Sequence, residues 1–475
     1  MGLAVYFDLP ETYIPKARYT AENLFFPLSQ EIRFINVWDE FVKYPQKILY
    51  CTENSSYLKG RNRYKNILII ILQNKTIDYF SNFMNYPLEN IKQINKFPCL
   101  FPLHKQYAYS SDENILHFDL FAASFFFLSC WQEYVIKERD GKGRIPYNQT
   151  IQYKTSIGRK AIVNEYLFIF KEKAEKVWNQ PIDFIDMPGG GKTSVVLSHD
   201  IDAVDWSFSK YMKHQIGNRR KIDITFLNLL ATVKNYWAKK KIFDTVKKIE
   251  LNAGAASTLF FLSNYPESHK AFAQSLVKSM RGTAFEVGHH ISEESIFNRY
   301  LKKDREAFLS ANSTLIFGAR VHALRFEINS LFSELEKNGY YYDNSLLFAE
   351  EMGYRTGFTY PNYIFDPYKN RPFSVLSIPL NVMDNTLFDL KYLGLSSRNY
   401  EKTLYSFTDK ALDYGGVLSV LFHHNSFWIN TYSRVNIFRN FLNHISGKGL
   451  RMTTCCDIYI WYKSSSQKKL SKTDN

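Results

Sequence analysis

The sequence predicts an α/β protein in two parts, the second built on a parallel sheet or barrel. Three observations carry this. A chain of 475 residues exceeds one ordinary core. From about residue 190, short apolar runs alternate with helical patterns, as strand, helix, strand repeats do. Ionisable residues collect where those runs end, the place where barrel enzymes keep their chemistry.

The first part, residues 1–185, is expected to be a smaller α/β domain. Its "KNILIIIL" reads as a strand. A long apolar helix is expected from Asp119, a good N-cap, through Tyr134, ending in the polar turn "ERDGKGRIPYN". A second helix, "VNEYLFIFKEKAEKVW", stops before Pro181. Pro188 and Gly189 to Gly191 then mark the clearest boundary. Residues 190–463 carry the runs "SVVLSHD", "STLFFLS", "FEVGHH", "STLIFGARVH", "YYYDNSL", "FSVLSIPL" and "GVLSVLFHHN". The polar tail, 464–475, is expected to be disordered.

The stretch "GGGKTSVVLSHDID" raises a phosphate loop as one reading, with Lys192 and Thr193 after glycine. Chain order argues against it. A phosphate loop follows a strand and opens a helix, whereas here the glycines precede the apolar run, and Asp186 stands where the pattern needs its first glycine. The glycines read as a joint into the second domain.

With 45% hydrophobic and 17% aromatic residues the chain has ample material to bury, which excludes a disordered protein. Five cysteines without a CxxC pair support neither a disulfide framework nor a zinc knuckle, and fit a reducing compartment. No secretory signal is visible at the N-terminus, so a cytoplasmic location is expected. The runs Ile67 to Leu72 and Leu120 to Trp131 are too short to cross a bilayer. The formal charge of +14 concentrates in the basic segment 210–248, where Phe226, Trp237, Ile242 and Phe243 accompany the lysines. That segment reads as a solvated helix face or as a peripheral membrane contact. No nucleic-acid motif accompanies the charge, so a nucleic-acid partner is not expected. Oligomeric state is not encoded in any recognisable pattern.

Four clusters stand at the ends of apolar runs: Asp200 and Asp202; Glu286 with His289 and His290; Arg320 with His322 and Arg325; His423 and His424 with Asn425. In a barrel such residues meet at one mouth. Two carboxylates and several imidazoles suit metal-assisted hydrolysis, in which some groups bind a cation and the spare carboxylate and histidine move protons.

In the order "LSHDID", "FEVGHH", "ARVHALRF", "LEKNGYYYDNSLLFAEEMGYRTG" and "GVLSVLFHHN", the second part resembles the polysaccharide deacetylase family with the NodB homology domain, a carbohydrate esterase type. "DLFAASFFFLSCWQEYVIKERDGKGRIP" is similar to an uncharacterised N-terminal domain that precedes such deacetylases in bacterial members. The resemblance implies an irregular (β/α)7 barrel, a divalent metal, zinc first with cobalt, nickel or manganese as alternatives, and removal of an acetyl group from an N-acetylated sugar or glycan intermediate. Its rivals are a barrel without catalysis that binds glycan or scaffolds, and a metal-free amide hydrolase.

The resemblance also implies roles. The family's paired aspartates fall on Asp200 and Asp202, here separated by Ile201; Asp200 is read as the general base and Asp202 as a metal ligand. His290 fills the first place of a two-histidine motif, and Glu294 stands in the second. His322 is preferred over Glu294 as the third ligand, loss of the metal being the other outcome. Arg320 is expected to hold Asp200 in a bidentate fork. Asp343 is expected to tune the acid histidine. His424 is expected to protonate the leaving amine, with His423 facing the other way because strand side chains alternate.

Overall fold

The computed structural model describes residues 2–59, 66–94, 97–103, 114–202, 239–312, 316–429 and 431–470. Ile67–Leu72, six consecutive apolar residues, is buried throughout, as a strand covered on both faces must be. It closes one end of a four-stranded parallel sheet ordered Ile32–Phe34, Leu3–Asp8, Gln46–Thr52, Ile67–Leu72. Two helices pack on that strand, Leu120–Leu128 and Ile162–Trp178. Asp119 caps the first, accepting a hydrogen bond from the Ala122 amide at 2.9 Å. This helix is shorter than expected. The chain breaks at Cys130, where φ is +55°, and only a short turn of helix, Gln132–Val135, follows.

The second sheet has ten strands. Along it lie Asn362–Asp366, Arg371–Ser377, Tyr342–Asp343, Gly318–Val321, Glu286–Ile291, Thr258–Leu262, Thr193–Ile201, Gly416–Leu421 and Val382–Met383, with Met452–Thr453 joined to Thr193–Ile201. Only the hairpin Asn362–Asp366 with Arg371–Ser377 is antiparallel; the other pairs are parallel. Helices including Glu267–Met280, Leu301–Asn312, Ile328–Lys337 and Ser397–Tyr414 make the crossovers. The result is the expected mixed α/β architecture, a curled half-barrel of the (β/α) kind beside a smaller α/β region. All nine residues of Thr193–Ile201 are buried. Parallel pairing brings the carboxyl ends of its neighbours to the same side, so Asp200, His290 and Arg320 share one rim.

The glycines before this strand form a tight turn, with the Gly190 amide on the Met187 carbonyl at 3.0 Å and φ of +100° and +82° at Gly189 and Gly190. They sit at the amino end of the strand, away from the rim. One hydrophobic cluster runs from the first sheet through Phe260, Tyr342 and Val417 to the last helix. That helix, Cys455–Leu470, takes in residues 464–470, which were expected to be disordered. Its Tyr462 stacks on Phe26 at 4.2 Å, and Lys469 donates to the Phe26 and Leu28 carbonyls at 2.5 Å, so contact with the first region orders the segment despite its polar composition. Of the basic segment, residues 210–238 lie outside the described residues. In the remainder, Ile242 and Phe243 are buried within the helix Lys239–Asn252 rather than presented outward. No helix among the described residues is long and apolar enough to cross a membrane.

Candidate active site

Asp202 lies just past the first barrel strand, and two imidazoles from neighbouring strand ends approach it. His290 Nε2 is 3.0 Å from Asp202 Oδ1, and His322 Nε2 is 4.0 Å from the same oxygen. One ligand atom from each of Asp202, His290 and His322 lies within 4.8 Å of the others. His290 Nδ1 is 3.0 Å from the Arg320 carbonyl, which can only accept, so Nδ1 carries a proton and Nε2 is the atom that faces Asp202. The His322 side chain is 44% exposed, which leaves this end of the cluster open to solvent. A carboxylate and two imidazoles from three segments, with one side open, fit a divalent cation that keeps a position for substrate.

Asp200 is held differently. Arg320, fully buried, donates from Nη1 to Asp200 Oδ1 at 2.7 Å and from Nη2 to Ser198 Oγ at 2.8 Å. The expected bidentate fork is therefore a single bond to Asp200, because Asn344 takes the rest of the guanidinium. Nε donates to the Asn344 carbonyl at 3.0 Å, and Nη2 also reaches Asn344 Oδ1. Beneath it Phe260 stacks at 4.3 Å, in a space that exists because residue 288 is glycine; a Cβ there would meet the Phe260 ring at 2.5 Å. Asp200 Oδ2 is left 3.6 Å from His290 Nε2 and 3.9 Å from His423 Nε2.

His423, not His424, faces this cluster. Its Nε2 lies 3.8 Å from Asp202 Oδ2, and its Nδ1 is bonded to Asp384 Oδ1 at 2.6 Å, while its own amide donates to Asp384 Oδ2 at 3.1 Å. His424 packs on Phe243 behind the sheet, in a cavity lined also by His199, Glu250 and Met280. The alternation of Gly416–Leu421 explains the reversal. Ser419 faces Asn344 inside the curl, and two-residue steps from it reach His423, whereas Leu418, Val420 and Phe422 belong to the outer cluster toward which His424 continues. A buried serine in an apolar run was the signal that identifies the inner face.

Asp343 does not reach a histidine. Its carboxylate accepts from the Ser345 amide at 2.9 Å and the Ser345 hydroxyl at 2.7 Å, fixing the turn that presents Asn344. The carboxylate that does meet a rim histidine is Asp384, directly after the strand Val382–Met383, through its bond to His423. Asn344 and Asp384 were both missed, although each stands at the end of a short apolar run. Glu286 opens its strand, so it sits at the far end and binds Thr258 and the Cys456 amide. His289 points away to the Tyr340 hydroxyl at 2.6 Å. Glu294 is exposed in the first turn of the helix Glu293–Phe297, which Ser292 caps, so it does not reach Asp202.

The electrostatics follow from these pairings. For His423 burial alone lowers the pKa, but Asp384 and then Asp202 and Asp200 outweigh it and raise it to about 9. For Asp202 burial raises the pKa, and the hydrogen bond from His290 with the charges of His423 and His290 outweighs it, holding the carboxyl well below its ordinary range. Burial and the neighbouring His290 lower His322, keeping it neutral, the form that binds metals. Burial and His199 push His424 down to about 3, so it is uncharged at neutral pH.

Residues 5–179 match the model of a family of unknown function, DUF7033. No curated protein matches the sequence. Among solved structures, the chain is similar to the Puue allantoinase at 12% identity and a TM-score of 0.43, over 58% of this chain and 92% of that one. It is similar to a probable polysaccharide deacetylase from Pseudomonas aeruginosa PAO1 at 13% identity and a TM-score of 0.42, over 58% and 93%. A family 4 carbohydrate esterase from Streptomyces lividans, solved with acetate, is similar at 13% identity and a TM-score of 0.29, over 55% and 91%.

Proposed function

We propose that this protein is a metal-dependent hydrolase that removes the acetyl group from an N-acetylated sugar or glycan intermediate. The observation that carries the reading is the meeting of two separately held carboxylates with three imidazoles at one rim. Asp202, His290 and His322 would hold the cation, zinc in the first instance, which supplies Lewis acidity to polarise an amide carbonyl. Asp200, fixed by Arg320 and left with Oδ2 facing the cluster, takes the proton of the attacking water. His423, protonated through its pairing with Asp384, donates to the departing amine. The two proton-transfer groups thus have opposite partners, one carboxylate held in place by a guanidinium and one imidazole held cationic by a carboxylate. The ordered motifs that resemble the deacetylase family direct the choice of amide to an N-acetylated sugar.

Acetate release from N-acetylated oligosaccharides and nucleotide-linked sugars tests this. Activity is expected to disappear with a chelator, to return with added zinc, and to fall at least ~10²-fold in Asp200→Asn. Acetate release indifferent to both the chelator and Asp200→Asn would contradict the mechanism.

A further inference from the structure

The loop that follows the first region's Gln132–Val135 turn reaches the rim of the candidate site. Arg325 Nε donates to the Lys142 carbonyl at 2.8 Å, and Arg144 donates to the Ala323 carbonyl and the Tyr392 hydroxyl, each at 3.4 Å. Ala323 is the residue after His322, so the turn that carries a candidate metal ligand also rests on the N-terminal region. That turn is strained, with φ of +55° at Ala323 and +53° at Leu324, neither of them glycine. The loop is itself well built. Arg144, buried, pairs with Asp140 at 2.6 Å, and Asp140 Oδ1 accepts from the Lys142 and Arg144 amides at 2.8 and 2.9 Å.

Charge at this rim does not balance. Arg144 is paired by Asp140 and Arg325 by Glu293, while Lys142 and Lys391 stand exposed, the latter next to Tyr392 that meets Arg144, with Asp389 at the Lys391 amide as the further carboxylate. Partial burial and the crowding of Arg144, Lys391 and Arg325 together depress the Lys142 ammonium below its ordinary range. Two exposed ammoniums on backbone that hydrogen bonds hold next to the candidate site favour an anionic occupant.

We propose that the Lys142 and Lys391 rim binds an anionic group carried by the N-acetylated substrate, a phosphate or a carboxylate, so that the N-terminal region selects acidic substrates for the barrel. This rests on the deacetylase reading above and deepens it by naming the substrate class. The long-range field of a protein carrying a formal +14 would favour the same ligands.

Three probes separate the sources of charge: UDP-N-acetylglucosamine for phosphate, a hyaluronan tetrasaccharide for carboxylate, and neutral chitotetraose. Binding of each to the full chain is measured by calorimetry at low and at high salt, with acetate assayed in the same samples. At least one anionic probe is expected to bind ~10-fold or more tightly than chitotetraose, with the preference shrinking in high salt and falling to near unity in the Lys142→Ala, Lys391→Ala double variant. The anionic probe preferred identifies phosphate or carboxylate as the group recognised. Equal binding of all three, no binding of any, or a preference that survives the double variant overturns the proposal. Preference without acetate release from any probe would instead sink the active-site reading and leave the anion site standing.

Discussion

Two aspartates, one fully buried in the N-terminal region and one half-buried at the rim, contrast a carboxyl built for structure with one proposed for chemistry. Asp119 in the N-terminal region caps a helix. Tyr50 donates to both of its oxygens at 3.0 Å and the Ala122 amide to one, and every partner is neutral. Burial wins there, pushing the pKa up to about 7. Asp202 is surrounded by His290, His322 and His423, and the first and last of these overturn burial and keep it ionised. Desolvation favours the neutral acid, and only neighbouring positive charge reverses it. The same contrast holds for whole strands. Ile67–Leu72 is apolar to its last residue, whereas Thr193–Ile201 ends in buried Ser198, His199 and Asp200, each answered by a partner.

The largest expected effect tests which histidine belongs to the chemical side. His423→Ala should lower kcat by ~10²–10⁴, the range for loss of a general acid. His424→Ala, behind the sheet, should leave kcat within a few fold and show its effect in thermal stability. A large kcat loss in His424→Ala with little in His423→Ala would reverse the assignment.

Asp119 sharpens the structural side. Because its folded pKa lies above the unfolded value of 3.8, the folded chain binds the extra proton, and stability falls as pH rises from about 4 to about 7. Between pH 5 and pH 8 that contribution is about 2–3 kcal/mol, taking ~1.36 kcal/mol for each pKa unit. Urea unfolding of the wild type against Asp119→Asn, which keeps an oxygen to cap the helix, should show the difference between the two shift by that amount in the wild type's disfavour at pH 8. A difference that stays constant with pH would mean that Asp119 is ionised in the fold.

Much of the site was legible because a parallel sheet gathers strand ends. Asp200, Asp202, His290, Arg320 and His322 each follow or end an apolar run, and the structure brings all of them together. What failed was the step from run to face. His423 and His424 are adjacent and chemically identical, and only the position of Ser419 within the strand tells them apart. Asp343 and Asp384 failed for a related reason. Strands of two residues, Tyr342–Asp343 and Val382–Met383, carry too little pattern to show which of them delivers its aspartate to the rim. The ordered end of the chain was hidden as well, because the order of residues 464–470 comes from contacts with Phe26 and Leu28, far away in sequence.

The measurement that bears most directly on the metal site is a zinc titration of the purified protein beside His322→Ala and Glu294→Ala. Wild type should bind zinc stoichiometrically. His322→Ala should lose at least ~10-fold in affinity, the cost expected even of a residue that only supports a ligand, while Glu294→Ala, exposed one helical turn away, should titrate as wild type. The opposite ranking, or a wild-type protein that takes up no zinc, would contradict the assignment of Asp202, His290 and His322 as the metal-binding set.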